Sequence, residues 1–309
     1  MHSMWKGNTL LKQKMFSKRM SCKLNEKNNY TMNRIFDLSS PHESEIIYEI
    51  SKFPDGQRDI RIIDLPIPIE SVTITSHFQS FADLEFIICA KKCLDGIGIK
   101  DVSLFIPYVL GARSDRKFFR EGTSYLRDVI APIINSMKFE HVTCFDPHSD
   151  VCEAVINNLF KLSTTPFYTW AKTLLSENFA ILSPDAGALK KIYDVAKIMD
   201  CERIFVCSKH RNIKTGKITH TEVPFKSGDE IDRDMEMVII DDICDGGRTF
   251  TEIVKAVRSQ GFNNKVSLIV SHGIFSAGTE ILFQSLDKII CTDSYNSTHQ
   301  VTEKYNLFK

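Results

Sequence analysis

A repeated alternation constrains this chain more than any other feature of its sequence. Short apolar, β-rich runs recur along it, and longer stretches with helical spacing lie between them. The runs are RIFDL (34–38), SVTITS (71–76), DVSLFIP (101–107), HVTCFD (141–146), FAILS (179–183), RIFVCS (203–208), MEMVIID (235–241), KVSLIVS (265–271) and KIICTD (288–293). Helical periodicity fills 80–95, 123–137, 186–199 and 249–260; in the last, Ile253, Val254 and Val257 mark one face and Gly261 ends the helix. Strands this apolar are buried on both faces, so the alternation predicts α/β architecture with parallel sheets covered by helices. The pattern occurs twice, with STTPF (163–167) at the break. An N-terminal domain over 32–165 and a C-terminal domain over 166–309 follow, and 309 residues suffice for two cores.

Residues 1–31 stand apart as a polar, basic extension, with six Lys and Arg19 against Glu26 alone, and are expected to be flexible. The whole chain nevertheless balances 39 Lys+Arg against 39 Asp+Glu. A nucleic-acid binder normally carries a basic excess, so no nucleic-acid partner is expected. No run approaches the ~18 apolar residues that span a bilayer, and Lys and Ser interrupt the start where a signal peptide would need an apolar core. The nine Cys are scattered, without CxxC or zinc-ligand spacing. These features predict a reduced, cytoplasmic protein without a membrane partner.

Ligands of open α/β sheets bind beyond the carboxyl ends of the strands, and four polar clusters fall at such ends. In VIIDDICDGGRTF (238–250) an apolar strand delivers Asp241 and Asp242, and Asp245-Gly246-Gly247-Arg248-Thr249 leads into a helix near Thr249. Backbone N–H groups and a helix N-terminus favour an anion there. The paired carboxylates can accept bonds from the hydroxyls of a ribose. An isolated Asp-Gly-Gly reads equally well as an acidic cap and turn. The second cluster, FDPHSD (145–150), sets His148 between Asp146 and Asp150; alone, such a His belongs to the surface. In SPDAGALKK (183–191), Asp185 fits a ligand or a plain helix N-cap. In SKHR (208–211), Lys209 and Arg211 precede NIKTGKITH, either a closing lid or a solvated charge run.

The 238–250 stretch resembles the phosphoribosyl-diphosphate loop of type I phosphoribosyltransferases and of ribose-phosphate pyrophosphokinases. Upstream, IPYVLGARSDR (106–116), FPDGQ (53–57) and the three clusters above are similar to segments of the pyrophosphokinases, as is SHGIFSAG (271–278), in family order over about residues 50–295. Plain phosphoribosyltransferases lack the 107–150 half. The resemblance implies two tandem type I phosphoribosyltransferase-like domains, with ATP bound on the N-terminal side and ribose phosphate on the C-terminal side. It implies an ATP site of Phe53, Asp55, Gln57, Arg113, Asp115, Arg116 and His148. Lys209 and Arg211 would act on the transferring group. Asp241, Asp242, Asp245, Gly246, Gly247, Arg248 and Thr249 would hold the ribose phosphate, and His148 and Asp185 would ligate Mg²⁺. The implied partners are ATP and an acceptor containing ribose 5-phosphate. Phe53 would stack on an adenine bound by a neighbouring subunit, so a homo-oligomer is implied as well.

The sequence also departs from the family pattern. The family loop reads Asp-Thr-x-Gly-Thr; here Gly246 loses a hydroxyl and Arg248 adds a cation. Ser114 and Gln57 replace the common Gln and Glu, and the chain is expected to end soon after TDSYNS without a terminal strand and helix. A cation in the 5-phosphate loop opens a second reading, in which the acceptor is ADP-ribose, whose ribose continues into a diphosphate. The pattern also leaves open a phosphoribosyltransferase and a non-catalytic regulatory paralogue. The retained His148, Asp185, Lys209 and Arg211 weigh against the paralogue.

Overall fold

A computed structural model describes residues 33–117, 119–211, 218–225, 231–232, 234–295 and 298–308, with the side chains of 209–211 and 218–220 outside the description. The basic extension expected over 1–31 lies outside the described residues.

The first half contains β1 (Asn33–Asp37), β2 (Ile47–Lys52), β3 (Arg58–Asp64), β4 (Ser71–Thr75), α1 (Phe81–Gly96), β5 (Asp101–Phe105), α2 (Ala131–Ser136), β6 (Val142–Phe145), α3 (Val151–Val155) and β7 (Leu159–Leu162). The second contains α4 (Thr165–Lys172), β8 (Phe179–Ser183), α5 (Leu189–Met199), β9 (Ile204–Val206), β10 (Ser208–Arg211), β11 (Ile218–Glu222), β12 (Glu236–Cys244), α6 (Arg248–Ser259), β13 (Val266–Gly273), α7 (Glu280–Phe283), β14 (Lys288–Thr292) and β15 (Glu303–Tyr305). Two parallel sheets result. One has the order β1-β4-β5-β6-β7 and the other β15-β14-β13-β12-β8-β9.

Sequence pattern explains the sheets directly. β8 and β13 are buried at every residue, as a central strand covered on both faces must be. At the start of α1 the Asp83 carboxylate accepts from the Ser80 N–H at 2.8 Å, which satisfies a donor the helix cannot. The helix expected over 123–137 is divided. A π-helical turn, Leu126–Ile130, runs into α2, because Pro132 has no N–H to bond back along the helix.

Other elements escaped the sequence pattern. β2 and β3 form an antiparallel hairpin whose residues are mostly exposed, so no apolar run announces it. The expected 203–208 strand divides: β9 joins the second sheet, while β10 leaves it to pair with β11. The expectation that no strand follows TDSYNS is corrected, since β15 pairs parallel with β14 through Thr292 and Tyr305.

The two sheets are joined by packing as well as by chain. Phe145, at the end of β6, is buried among Phe167, Ile181 and Ile240 of the second half. The Phe308 ring lies 4.5 Å from His77 and 5.3 Å from Phe105, and His77 Nε2 is 2.7 Å from the Asp293 carbonyl oxygen. Among the described residues, no helix is long and apolar enough to cross a membrane.

Candidate active site

The two sheets meet along the carboxyl ends of β6 and β12. β12 runs further than its apolar run predicts, pairing with β13 as far as Cys244–Gly273, so Asp241 and Asp242 are strand residues. Its pairing with β8 stops at Ile239–Leu182, which opens one edge where the two acids stand. The Asp242 N–H donates to Asp241 Oδ1 at 2.9 Å. Burial, and then the neighbouring Asp242 charge, push Asp241 well above the ordinary carboxylate value. Burial acts on Asp242 too, but a bond from His148 and the charge of Lys191 outweigh it and hold Asp242 low. His148 Nδ1 lies 2.6 Å from Asp242 Oδ2; that bond raises the imidazole above its ordinary value, against burial.

Beyond β12 the chain turns through Asp245 and the glycines into α6. Gly247 has φ of 74°, and a Cβ on it would lie 2.6 Å from Leu282 Cδ2, so both conformation and space require glycine. Phe250 and Thr251 N–H groups turn back onto the Gly247 carbonyl. That leaves the Arg248 and Thr249 N–H groups, at the very start of the helix, as donors of the kind that favours an anion. Arg113 Nη1 reaches from the first half to Asp245 Oδ2 at 2.7 Å. The Ser276 hydroxyl, and then the Arg113 guanidinium, hold Asp245 below the ordinary carboxylate value.

A third junction forms around Asp146. Lys191 Nζ, from α5, is 2.5 Å from Asp146 Oδ2, and Ser271 donates to the same oxygen. His272 Nε2 lies 3.0 Å from the Asp146 carbonyl oxygen, while its Nδ1 pairs with Ser294 Oγ at 2.7 Å. Complete burial lowers the His272 pKa, and both ring nitrogens are taken up by contacts within the protein. Lys191, Asp146, Ser271, His272 and Ser276 all lie within segments the sequence singles out. The sequence marks none of them as functional, because a buried contact to a distant strand end leaves no local spacing.

The expected ligands distribute unevenly. His148, Arg113, Asp241, Asp242 and Asp245 come together, and Asp115 joins them by accepting from Ser149 Oγ at 2.6 Å. The placing of Arg113 in the ATP set and Asp245 in the ribose-phosphate set is not mirrored by separation in space: the two are paired. Phe53, Asp55 and Gln57 form the exposed tip between β2 and β3. There the Phe53 N–H donates to the Gln57 carbonyl and the Gln57 N–H to Asp55. Asp185 caps the turn Ala186–Ala188, its Oδ1 accepting from the Ala188 N–H at 3.1 Å. Lys209 and Arg211 lie on β10, with side chains outside the description.

Among the described residues, no group of three or more His, Cys, Asp or Glu is arranged to hold a metal. Mg²⁺ typically keeps several waters and takes one or two carboxylates plus substrate phosphates, so it does not need such a cage. The carboxylates at the end of β12 supply oxygen donors of that type.

A family model described as phosphoribosyl transferase domain matches residues 165–303. A ribose-phosphate pyrophosphokinase from Pyrococcus abyssi is 25% identical over 260 residues, covering 82% of this chain and 86% of that protein. One from Ureaplasma parvum is 28% identical over 271 residues, covering 84% and 77%. The fold matches the crystal structure of a phosphoribosylpyrophosphate synthetase from Mycobacterium smegmatis with a TM-score of 0.72 at 14% identity, over 89% of this chain and 94% of that one. The second half thus carries a phosphoribosyl transferase domain, and the chain as a whole is similar to ribose-phosphate pyrophosphokinases over most of its own length and of theirs.

Proposed function

We propose that the protein transfers the β,γ-diphosphoryl group of ATP to the anomeric hydroxyl of a ribose 5-phosphate unit, with AMP as the leaving group. The observation that carries the reading is the double bridge His148–Asp242 and Arg113–Asp245, in which ATP-side residues of one sheet touch ribose-side acids of the other. A phosphoribosyltransferase needs only the second set.

Asp241 and Asp242 bind the ribose hydroxyls, and the Asp245–Thr249 loop binds the 5-phosphate through backbone N–H groups. Arg113 and Arg116 engage the ATP phosphates; an arginine fork suits them because it can bond two oxygens at once. Arg113 and Asp245 neutralise each other, and substrate phosphate would replace the carboxylate. Mg²⁺, bound with the phosphates near His148 and Asp185, would neutralise their charge. Lys209 and Arg211 stabilise charge on the transferring group, where positioning and electrostatics supply most of the catalysis. The exposed Phe53 tip has no bond to this cluster among the described residues, which supports a homo-oligomer whose neighbouring subunit completes the adenine site.

A second acceptor, ADP-ribose, is favoured by one detail. Arg248 is exposed on the first turn of α6 with no ion pair among the described residues, and a Cβ at Gly246 would meet nothing closer than Ser276 Oγ at 3.9 Å. The loop therefore has both room and an exposed cation beyond the 5-phosphate position. The test is AMP release from Mg-ATP with ribose 5-phosphate or ADP-ribose as sole acceptor, with the product identified by phosphorus NMR. Silence with both acceptors would overturn the diphosphokinase reading.

A further inference from the structure

We propose that Lys191 is a positioning residue for the acceptor's ribose, holding the Asp241–Asp242 pair in register with the ATP-side loop by gripping Asp146. The inference rests on the proposed diphosphoryl transfer and adds to it a residue outside the ligand sets described above.

Three observations meet at this side chain. Lys191 Nζ is 2.5 Å from Asp146 Oδ2, and Asp146 is two residues before His148, so the lysine anchors the base of the loop that reaches Asp242. Its charge also acts on both Asp241 and Asp242. It is therefore a cation common to acids of both halves, and adjacent carboxylates without it would repel one another. Asp146 itself adopts φ of 42°, a left-handed conformation that a non-glycine residue adopts at a cost. Lys191, Ser271 and His272, all from the second half, hold it there. Strain sustained by three contacts from the opposite half fits a device that sets the distance between two half-sites.

Lys191 touches neither acceptor nor ATP in this scheme, and its effect should separate the two substrates. Lys191→Met is expected to raise the acceptor KM at least ~10-fold, the scale seen when a residue supporting a directly bound group is removed, while the ATP KM moves much less. Lys191→Arg should restore most of the acceptor KM, because it keeps the charge and reaches Asp146. Lys191→Gln, which can bond Asp146 without a charge, keeps the question decidable if the Met variant does not fold. An acceptor KM unchanged in Gln and Met variants that melt like the wild type would overturn the proposal. An equal rise in both KM values, tracking lost thermal stability, would also overturn it, in favour of a purely structural lysine. Wild-type silence with both acceptors is a separate outcome: it overturns the diphosphokinase reading and this inference with it. An active wild type with indifferent Lys191 variants overturns the inference alone.

Discussion

His148 and Asp242 are 94 residues apart in the chain and 2.6 Å apart in space. One follows the end of a strand of the first sheet and the other stands near the end of a central strand of the second, so the bond ties the two sheets together at their strand ends. The contact holds Asp242 low, which favours the ionised form that the proposed function needs to accept a bond from a ribose hydroxyl.

Removing that contact should therefore cost turnover more than stability. His148→Ala is expected to lower AMP release by ~10²-fold or more, within the range for losing one preorganised electrostatic group. Its melting temperature should stay near that of the wild type, because the side chain is 40% exposed. Steady-state kinetics beside a thermal melt checks both halves of this expectation.

Arg248 governs acceptor choice if the loop reads what lies beyond the 5-phosphate. Arg248→Gly, which restores the family residue, is expected to move the ratio of kcat/KM for ADP-ribose over ribose 5-phosphate toward ribose 5-phosphate by ~10-fold, the worth of one charge-assisted contact. A ratio equal to that of the wild type would make Arg248 a passive surface residue.

Gly247 has a conformational rather than a chemical role. Gly247→Ala places a Cβ at φ of 74° and 2.6 Å from the buried Leu282, so a destabilisation of ~1–3 kcal/mol is expected. Denaturant unfolding measures it, and Gly246→Ala is the control, since its Cβ would meet only Ser276 Oγ at 3.9 Å.

Lys209→Ala should lower turnover severely while leaving ATP binding largely intact, as expected of a group that acts on charge developing during transfer. Calorimetric titration of ATP alongside AMP release separates the two. Unchanged turnover would remove Lys209 from the mechanism.

Acid stability has a source remote from the site. The buried Glu236 accepts from the Ser176 N–H at 2.7 Å, from its hydroxyl at 2.8 Å and from Ser267, with Lys288 Nζ at 3.4 Å. Burial pushes its pKa up, but these partners more than offset it and the net direction is down. A depressed folded pKa contributes stability above the unfolded value of about 4.3 and loses it as pH falls through the folded value. Glu236→Gln is expected to cost ~1–3 kcal/mol near neutral pH, with the difference from wild type shrinking below pH ~4. Melts of both proteins across that interval test it.

The sequence by itself determined both parallel sheets and the polar clusters at their strand ends. Those properties are local: a strand buried on both faces must be apolar along its length, and a tight loop with positive φ asks for glycine. It also carried the family resemblance, because Asp241, Asp242, Asp245 and the two glycines occupy consecutive or near-consecutive positions. The β2–β3 hairpin was illegible because its exposed strands lack an apolar signature, and β15 because three residues are too few to show a period. Only the tertiary structure decided that Arg113 pairs with Asp245, that His148 reaches Asp242, and that Lys191 grips Asp146. Each pair joins residues tens of positions apart on different elements. Such contacts depend on how the two sheets dock, and neither local propensity nor spacing along the chain encodes that docking.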